Sequence, residues 1–300
     1  MLTVVLGLGS ALGYALHDFL MVKVVRAAAV WTALVWSMGV GLAILLPLAL
    51  LLDGPPAGAA EWRAVGYAAL SGICEAAGLA CLLRGLVTGN LSIVTPLASL
   101  AGGFVAVIAL IGGESLPTLA IAGLPLAVAG GLMASVEKAP KEEVFGPDVP
   151  APPAVAPAAP ARRTRPTAGA GWALLSSALF AVTVLLLAEA TALGPVAVAA
   201  YGRLGTMAVL VPVALLLAGL RLPAALARRS AFAGVFDAAA FVALAAAISL
   251  GPLAVASVVI SQGGTMAVLL GYVFLHERLS RVQYAGVACT CVAVTLFALS

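Results

Sequence analysis

Three ionisable residues lie inside long apolar stretches of the sequence. Glu75 and Asp237 each stand among alanine and glycine, and Arg203 follows Tyr201 in a third stretch. A charge at the centre of a membrane-spanning helix costs roughly 2.5–3.5 kcal/mol on insertion scales, so such a residue is by default a candidate for function. Because burial favours the neutral form of a carboxyl group, Glu75 and Asp237 are candidate sites for binding a proton or a polar substrate.

Arg203 requires an anion nearby, because its guanidinium does not lose its proton. The candidate anions are Asp237, Glu75, and a carboxylate or phosphate group of a substrate, for which the planar guanidinium is well shaped. The sequence leaves open whether this arginine contacts substrate or only pairs with the two acids.

Tyr14, His17 and Asp18 form a second polar group near the N-terminus. Tyr14 and Asp18 are four residues apart and therefore lie on one face of a helix. Asp18 is close to the end of the predicted helix, where polar side chains reach the interface, so anchoring is the alternative to a role in a site. Trp36 aligns with Tyr201 when the two halves of the chain are superposed, and both are candidate lining residues.

The composition of the chain shows what kind of element positions these residues. It is 63% hydrophobic and 9% charged, whereas a soluble domain is roughly 45–50% apolar and about 25% charged. This excludes a soluble enzyme and a disordered protein, and a net charge of +3 without a basic patch excludes a nucleic-acid binder. The four cysteines have no zinc or redox spacing, so no metal or cofactor is expected.

Ten apolar runs predict ten transmembrane helices, since about 20 apolar residues span a bilayer. They cover 2–22, 30–52, 64–83, 92–111, 119–135, 171–190, 196–217, 231–250, 254–275 and 282–299. Residues 137–168 hold eight of the eighteen prolines and nine of the charged residues, which is typical of a solvated linker. The linker divides the chain into halves at 1–136 and 169–300, with five predicted helices in each.

The two halves resemble each other in sequence. With a shift of 162 residues, Gly72 falls on Gly234 and Glu75 falls on Asp237. Five crossings per half place the second half upside down relative to the first, and inverted repeats are characteristic of secondary transporters with a substrate site between the repeats. The predicted fold is an all-α integral membrane protein with ten transmembrane helices in two inverted five-helix repeats.

The basic residues are distributed asymmetrically between the predicted loops. Thirteen of the fifteen lysines and arginines fall on one side, with Arg63 on the other side and Arg203 within a helix. The positive-inside rule then places the linker in the cytoplasm and both termini outside. We expect a multi-pass protein of the plasma or inner membrane.

Glu114 and Glu277 follow the fourth and ninth predicted helices and align with each other after one inserted residue. A carboxylate at this place can cap the next helix and favour its dipole, so we expect a structural role for both.

Short motifs recur at equivalent places in the two halves. They are Gly89-Asn-Leu-Ser-Ile-Val-Thr-Pro-Leu97 and Gly113-Glu114-Ser-Leu116 in the first, and Gly251-Pro-Leu-Ala-Val-Ala256 and Glu277-Arg-Leu279 in the second. With these motifs the sequence resembles the EamA family of the drug/metabolite transporter superfamily. The resemblance implies alternating access around a central cavity lined by helices 1, 3, 4, 6, 8 and 9. It also implies export of amino acids, other metabolites or drugs, in some members coupled to protons.

The sequence therefore predicts a secondary-active exporter of small metabolites, in which Glu75 and Asp237 bind substrate or proton in alternation. No ATP-binding signature is present, so a gradient or exchange must supply the energy. The expected partners are a small-molecule substrate, the bilayer and, where transport is coupled, protons; a monomer and a homodimer both stay open. No enzymatic motif is found. The alternatives are a lipid-linked or polyprenyl-phosphate flippase, with Arg203 on the phosphate, and a non-transporting membrane assembly subunit.

Overall fold

The computed structural model describes residues 1–88, 91–135, 169–275 and 279–300, so the whole predicted linker, 137–168, and Glu277 lie outside the described residues. The described part of the chain forms twelve α-helices. They are α1 (Leu2–Ala27), α2 (Val30–Leu52), α3 (Ala59–Thr88), α4 (Leu91–Ala98), α5 (Ala101–Ile111), α6 (Thr118–Ala134), α7 (Ala170–Glu189), α8 (Pro195–Leu217), α9 (Ala224–Leu250), α10 (Leu253–Ile260), α11 (Gly263–Leu275) and α12 (Arg281–Leu299).

These helices make ten membrane crossings. Nine stretches within the described ranges are long and apolar enough to span a bilayer, with α4 and α5 joined in one stretch and α10 and α11 joined in another. The tenth crossing is α6, an apolar helix of 17 residues, which is at the lower end of the length that spans a bilayer. The predicted all-α membrane fold with ten transmembrane helices is confirmed.

The fourth and ninth crossings are both broken, and the breaks fall at equivalent residues. Ser99 follows α4 and Ser261 follows α10, and these serines align with the shift that superposes the two halves. The Ser99 hydroxyl donates to the Pro96 carbonyl and the Ser261 hydroxyl donates to the Val258 carbonyl, both at 2.8 Å. A serine hydroxyl that donates to the preceding turn offers the carbonyl an alternative to the helical hydrogen bond, and here the same bond accompanies the break in both repeats.

The packing of the helices follows a two-fold relation between the halves. α1 packs on α9, α10 and α11, and its counterpart α7 packs on α3, α4 and α5. α2 contacts α9 while α8 contacts α3; α2 and α8 also contact each other, as do α6 and α12. Contacts that have a counterpart in the other half are those of an isologous pairing. Because each half crosses the membrane five times, the pseudo-two-fold axis lies in the membrane plane.

Glycines lie at the points where the central helices cross each other in close contact. A Cβ atom on Gly72 of α3 would overlap the carbonyl oxygen of Gly202 in α8. A Cβ atom on Gly234 of α9 would overlap the carbonyl oxygen of Ser37 in α2. Small residues let membrane helices approach backbone to backbone, and here they do so at equivalent crossings in the two repeats.

Glu114 caps a helix of the other repeat. Its carboxylate accepts hydrogen bonds from the backbone N–H groups of Leu253 and Ala254, the first two residues of α10. The sequence instead predicts a cap on the next helix, α6, and this is wrong, because α6 follows Pro117 and has no side-chain cap. α5 packs on α10, which brings the residue just after α5 to the α10 N-terminus.

Replacing Glu114 with alanine should lower the free energy of unfolding by about 0.5–2 kcal/mol, because the α10 N–H groups lose their acceptor. Unfolding of the purified protein by SDS in mixed micelles measures the change. Glu61→Ala is the control, since within the described residues the Glu61 carboxylate accepts a hydrogen bond only from Ala57, in an exposed loop. Equal losses in the two variants would contradict the capping role.

Candidate functional site

Arg203 of α8 lies between Glu75 of α3 and Asp237 of α9, and these three residues form what we call the ion triad. Nη1 of Arg203 donates to Oε2 of Glu75 at 2.6 Å, and Nη2 donates to Oδ1 of Asp237 at 2.8 Å. The exposed fractions of the side chains are 0% for Arg203, 1% for Asp237 and 14% for Glu75. The two acids occupy equivalent positions in the two repeats, so a single cation pairs with the equivalent acid of each repeat.

The glycine crossings place the two acids. Glu75 follows Gly72 by three residues and Asp237 follows Gly234 by three residues, so each acid lies on the same face of its helix as its glycine. Because these glycines lie against α8 and α2, each carboxylate is directed into the centre of the bundle instead of toward lipid. The small residues that the sequence marks as packing positions are therefore what brings the acids to Arg203.

Apolar and soft groups complete the surroundings of Arg203. Its guanidinium carbon lies 4.2 Å above the centroid of the Phe241 ring, a cation–π distance, and Nη1 lies 4.0 Å from the sulfur of Met38. The alignment that places Trp36 on Tyr201 also places Met38 on Arg203. The site thus has a cation in one repeat and an uncharged thioether at the equivalent position of the other.

The two acids of the triad differ in their hydrogen bonds. Oε2 of Glu75 accepts a second hydrogen bond from the Thr206 hydroxyl at 2.9 Å. The position equivalent to Thr206 in the first repeat is Gly41, which lies beside Asp237 and offers no donor side chain. Among the described residues, nothing bonds to Oδ2 of Asp237. The carboxylate of Glu75 therefore accepts one more side-chain hydrogen bond than the carboxylate of Asp237.

α1 adds part of its polar group to the site. Tyr14 packs against the buried cluster that includes Phe241, the ring that lies under Arg203. His17 is buried, with Nε2 at 3.1 Å from the Ser37 hydroxyl and Nδ1 at 3.0 Å from Oδ1 of Asp18. The Asp18 side chain is 75% exposed. Tyr14 and His17 thus lie at the border of the triad, and Asp18 lies at the surface.

The structure does not bring the other two predicted residues to the ion triad. Trp36 is 39% exposed, and its indole N–H donates to the carbonyl of Leu220 at 2.9 Å. Tyr201 packs against a buried apolar cluster that includes Leu244 and Phe241.

Three neighbours of the triad, Thr206, Phe241 and Met38, were missed at the sequence level. Helical spacing could have found two of them, because Thr206 follows Arg203 by three residues and Phe241 follows Asp237 by four. Met38 offers no such signal on its own helix, and only its alignment with Arg203 points to it.

Comparisons with known proteins agree with the fold. A solved structure described as "Crystal structure of protein" superposes with a TM-score of 0.74 at 15% identity, covering 99% of this chain and 96% of that chain. None of the curated proteins matches the sequence. The model of the EamA-like transporter family matches residues 1–136 and 167–299, which are both repeats. The resemblance found in the sequence is confirmed, and the chain, a multi-pass membrane protein, belongs to the EamA-like transporter family.

Proposed function

We propose that the protein is a secondary-active exporter of small zwitterionic metabolites such as amino acids, working by alternating access, with the ion triad as its substrate site. The observation that carries this proposal is the position of the triad, which joins equivalent helices of two inverted repeats. Substrate sites of transporters built from inverted repeats lie near the midplane, at the interface of the repeats.

The charges of the ion triad favour a substrate that carries both signs. The guanidinium of Arg203 matches a substrate carboxylate, and the carboxylates of Glu75 and Asp237 match a substrate ammonium group. A phosphate-bearing lipid could pair with Arg203 but brings no cation for the two carboxylates that Arg203 now holds, whereas a zwitterion supplies a partner for each sign. This favours a metabolite over the flippase alternative.

Glu75 is the most exposed member of the ion triad. Its side chain is the one member with measurable exposure, while Arg203 and Asp237 are buried. Opening toward either side of the membrane requires the repeats to move against each other, and the broken crossings at Ser99 and Ser261 are places where the helices can bend. The helices that contribute to the triad region are α1, α2, α3, α8 and α9. Of these, α2 and α8, which are the second and seventh crossings, are absent from the cavity helices that the resemblance implies.

A buried cluster of charges also argues against a purely structural subunit. An ion pair in the bilayer costs desolvation that well-packed apolar residues would avoid, so a scaffold gains nothing from it. The distribution of lysine and arginine supports residence in the plasma or inner membrane with the linker on the cytoplasmic side.

Glu75→Gln should slow transport about ten- to a hundredfold, because a hydrogen bond to a charged group contributes about 1.5–3 kcal/mol. The measurement is uptake of labelled amino acids into proteoliposomes, with and without a pH gradient. The matched control is Glu61→Gln, which makes the same change on the same helix, at an acid whose one hydrogen bond in the described part of the chain is to an exposed loop.

Three outcomes of this assay would contradict the proposal. The first is equal uptake by the wild type and both variants. The second is uptake unaffected by Glu75→Gln but abolished by Glu61→Gln. The third is absence of amino acid uptake together with movement of a phosphate-linked polyprenol, which would support the flippase instead.

A further inference from the structure

We propose that Oδ2 of Asp237 binds the exchangeable proton of the ion triad, so that Asp237 is the neutral acid and Glu75 the ionised one. This inference rests on the proposed function only because it names the ion to which transport is coupled. Its test does not require a transport assay. It assigns different roles to two residues that the repeat makes equivalent.

The first argument is the charge of the ion triad. Two carboxylates and one guanidinium carry a net charge of −1 when all three are ionised, and no further cationic side chain among the described residues forms an ion pair with either acid. An uncompensated charge in an apolar interior is strongly unfavourable, so the site gains stability by taking up one positive charge. One proton on one carboxylate makes the cluster neutral.

The second argument is the difference in hydrogen bonds between the acids. Oε2 of Glu75 accepts from Arg203 at 2.6 Å and from Thr206 at 2.9 Å, and donors of this kind stabilise an ionised carboxylate. Asp237 accepts a single hydrogen bond, from Arg203 to Oδ1, and is the more deeply buried acid. Its Oδ2 has no partner in the described part of the chain and is the open position for a proton.

No group that faces Asp237 bonds to Oδ2 within the described residues. α8 presents Arg203, which is already bound to Oδ1, and α1 presents His17, whose two ring nitrogens lie against Ser37 and Asp18. Tyr14 of α1 packs against the cluster that includes Phe241, and α3 contributes Glu75 across Arg203. α2 contributes no ionisable group here, since the residues of α2 against the Asp237 region are serine, methionine and glycine.

Gly41 is the position at which a substitution can give Asp237 the hydroxyl donor that it lacks. A Cβ atom built there lies 3.8 Å from Oδ2 of Asp237 and at ordinary contact distance from Ala238, so a serine fits. Its hydroxyl would give Asp237 the donor that Thr206 gives Glu75. Gly41→Ser should therefore stabilise the ionised aspartate, whereas Gly41→Ala adds the same carbon without the donor.

Infrared difference spectroscopy on the full-length protein in liposomes, titrated with buffer, tests the assignment. We expect a carboxylic C=O band at neutral pH that disappears on alkalinisation and is missing from Asp237→Asn. The band should also be lost from Glu75→Gln, because Arg203 alone then compensates the charge of Asp237. The Gly41 variants therefore assign the band to Asp237. Gly41→Ser should move the midpoint of this titration to lower pH by about one to two units, and Gly41→Ala should leave it in place. The Gly41 pair keeps the test valid if Asp237→Asn does not fold.

Four results would overturn the proposal: no such band at any pH, retention of the band in Asp237→Asn, equal midpoints in the two Gly41 variants, and loss of the band on adding sodium at constant pH. Failure of the proposed function is recognised separately. Absent amino acid uptake with an intact, titrating Asp237 band refutes the transport assignment alone, and normal uptake without the band refutes the proton site alone.

Discussion

Arg203→Ala is expected to lower the free energy of unfolding by about 3–5 kcal/mol and to abolish transport. The substitution removes the cation that Glu75 and Asp237 share and leaves two carboxylates facing each other in a buried site. Removing one partner of a buried ionic cluster is far more costly than the net contribution of the cluster, because the remaining charges stay desolvated without a counter-ion. The free energy is measured by SDS unfolding in mixed micelles, and transport by proteoliposome uptake.

The triple variant Arg203→Met, Glu75→Met and Asp237→Leu separates the two effects. It removes all three charges at once, and methionine is what the first repeat has at the position equivalent to Arg203. Replacing a whole buried ionic cluster by apolar residues of similar volume is often neutral or stabilising, so stability should return to within about 1 kcal/mol of the wild type. Transport should stay absent, because no charge is left to bind substrate or proton.

The control for the arginine series is Arg229→Ala, which removes an exposed arginine from α9 and should change neither quantity. Wild-type stability in Arg203→Ala would mean that the acids do not depend on Arg203. Wild-type transport in the triple variant would place the substrate site elsewhere in the molecule.

Much of the fold could be predicted from the sequence because the bilayer imposes a simple length rule. Apolar runs of about 20 residues identified the ten crossings, and the coincidence of Glu75 with Asp237 identified the repeat. Helix ends were less accurate. α3 begins at Ala59 and α9 at Ala224, before the apolar runs begin, because charged residues such as Arg228 continue the helix past the hydrocarbon boundary.

The direction of side chains was harder to predict, for a physical reason. In a soluble helix the polar face points to water, but lipid is as apolar as the protein interior, so hydrophobicity does not mark the inner face of a membrane helix. Trp36 and Ser37 illustrate this. The large apolar residue is 39% exposed and donates to a loop carbonyl, while the adjacent serine is fully buried beside His17. Residue size gives the better signal, as the glycine crossings show.

The contacts between the repeats could not be predicted from the sequence either. Arg203 had three candidate anions, and only the packing of α8 against both α3 and α9 shows that it binds the two acids together. Glu114 was expected to cap its own neighbour in the chain and instead caps α10. In both cases the spacing of residues along the chain allows several partners, and only the packing of the helices determines which one is bound.

Gly72→Leu is expected to prevent assembly of the folded protein. Overpacking a core costs typically 1–3 kcal/mol when neighbouring side chains can change rotamer. At Gly72 the obstacle is backbone, since even a Cβ atom would overlap the carbonyl oxygen of Gly202. α3 must then move away from α8, which also pulls Glu75 out of hydrogen-bond distance of Arg203 and leaves both charges unpaired. The expected result is loss of the monodisperse peak in size-exclusion chromatography.

Gly66→Leu is the matched control, because it makes the same change on the same helix at an exposed glycine with open space around its Cβ position. It should elute and melt like the wild type, since leucine is a better helix former than glycine and here meets lipid or solvent instead of backbone. Gly72→Ala should fall between the two, with reduced yield and a lower melting temperature. If Gly72→Leu behaved like Gly66→Leu, α3 and α8 would not be in backbone contact, and the geometry that joins the two acids through Arg203 would be wrong.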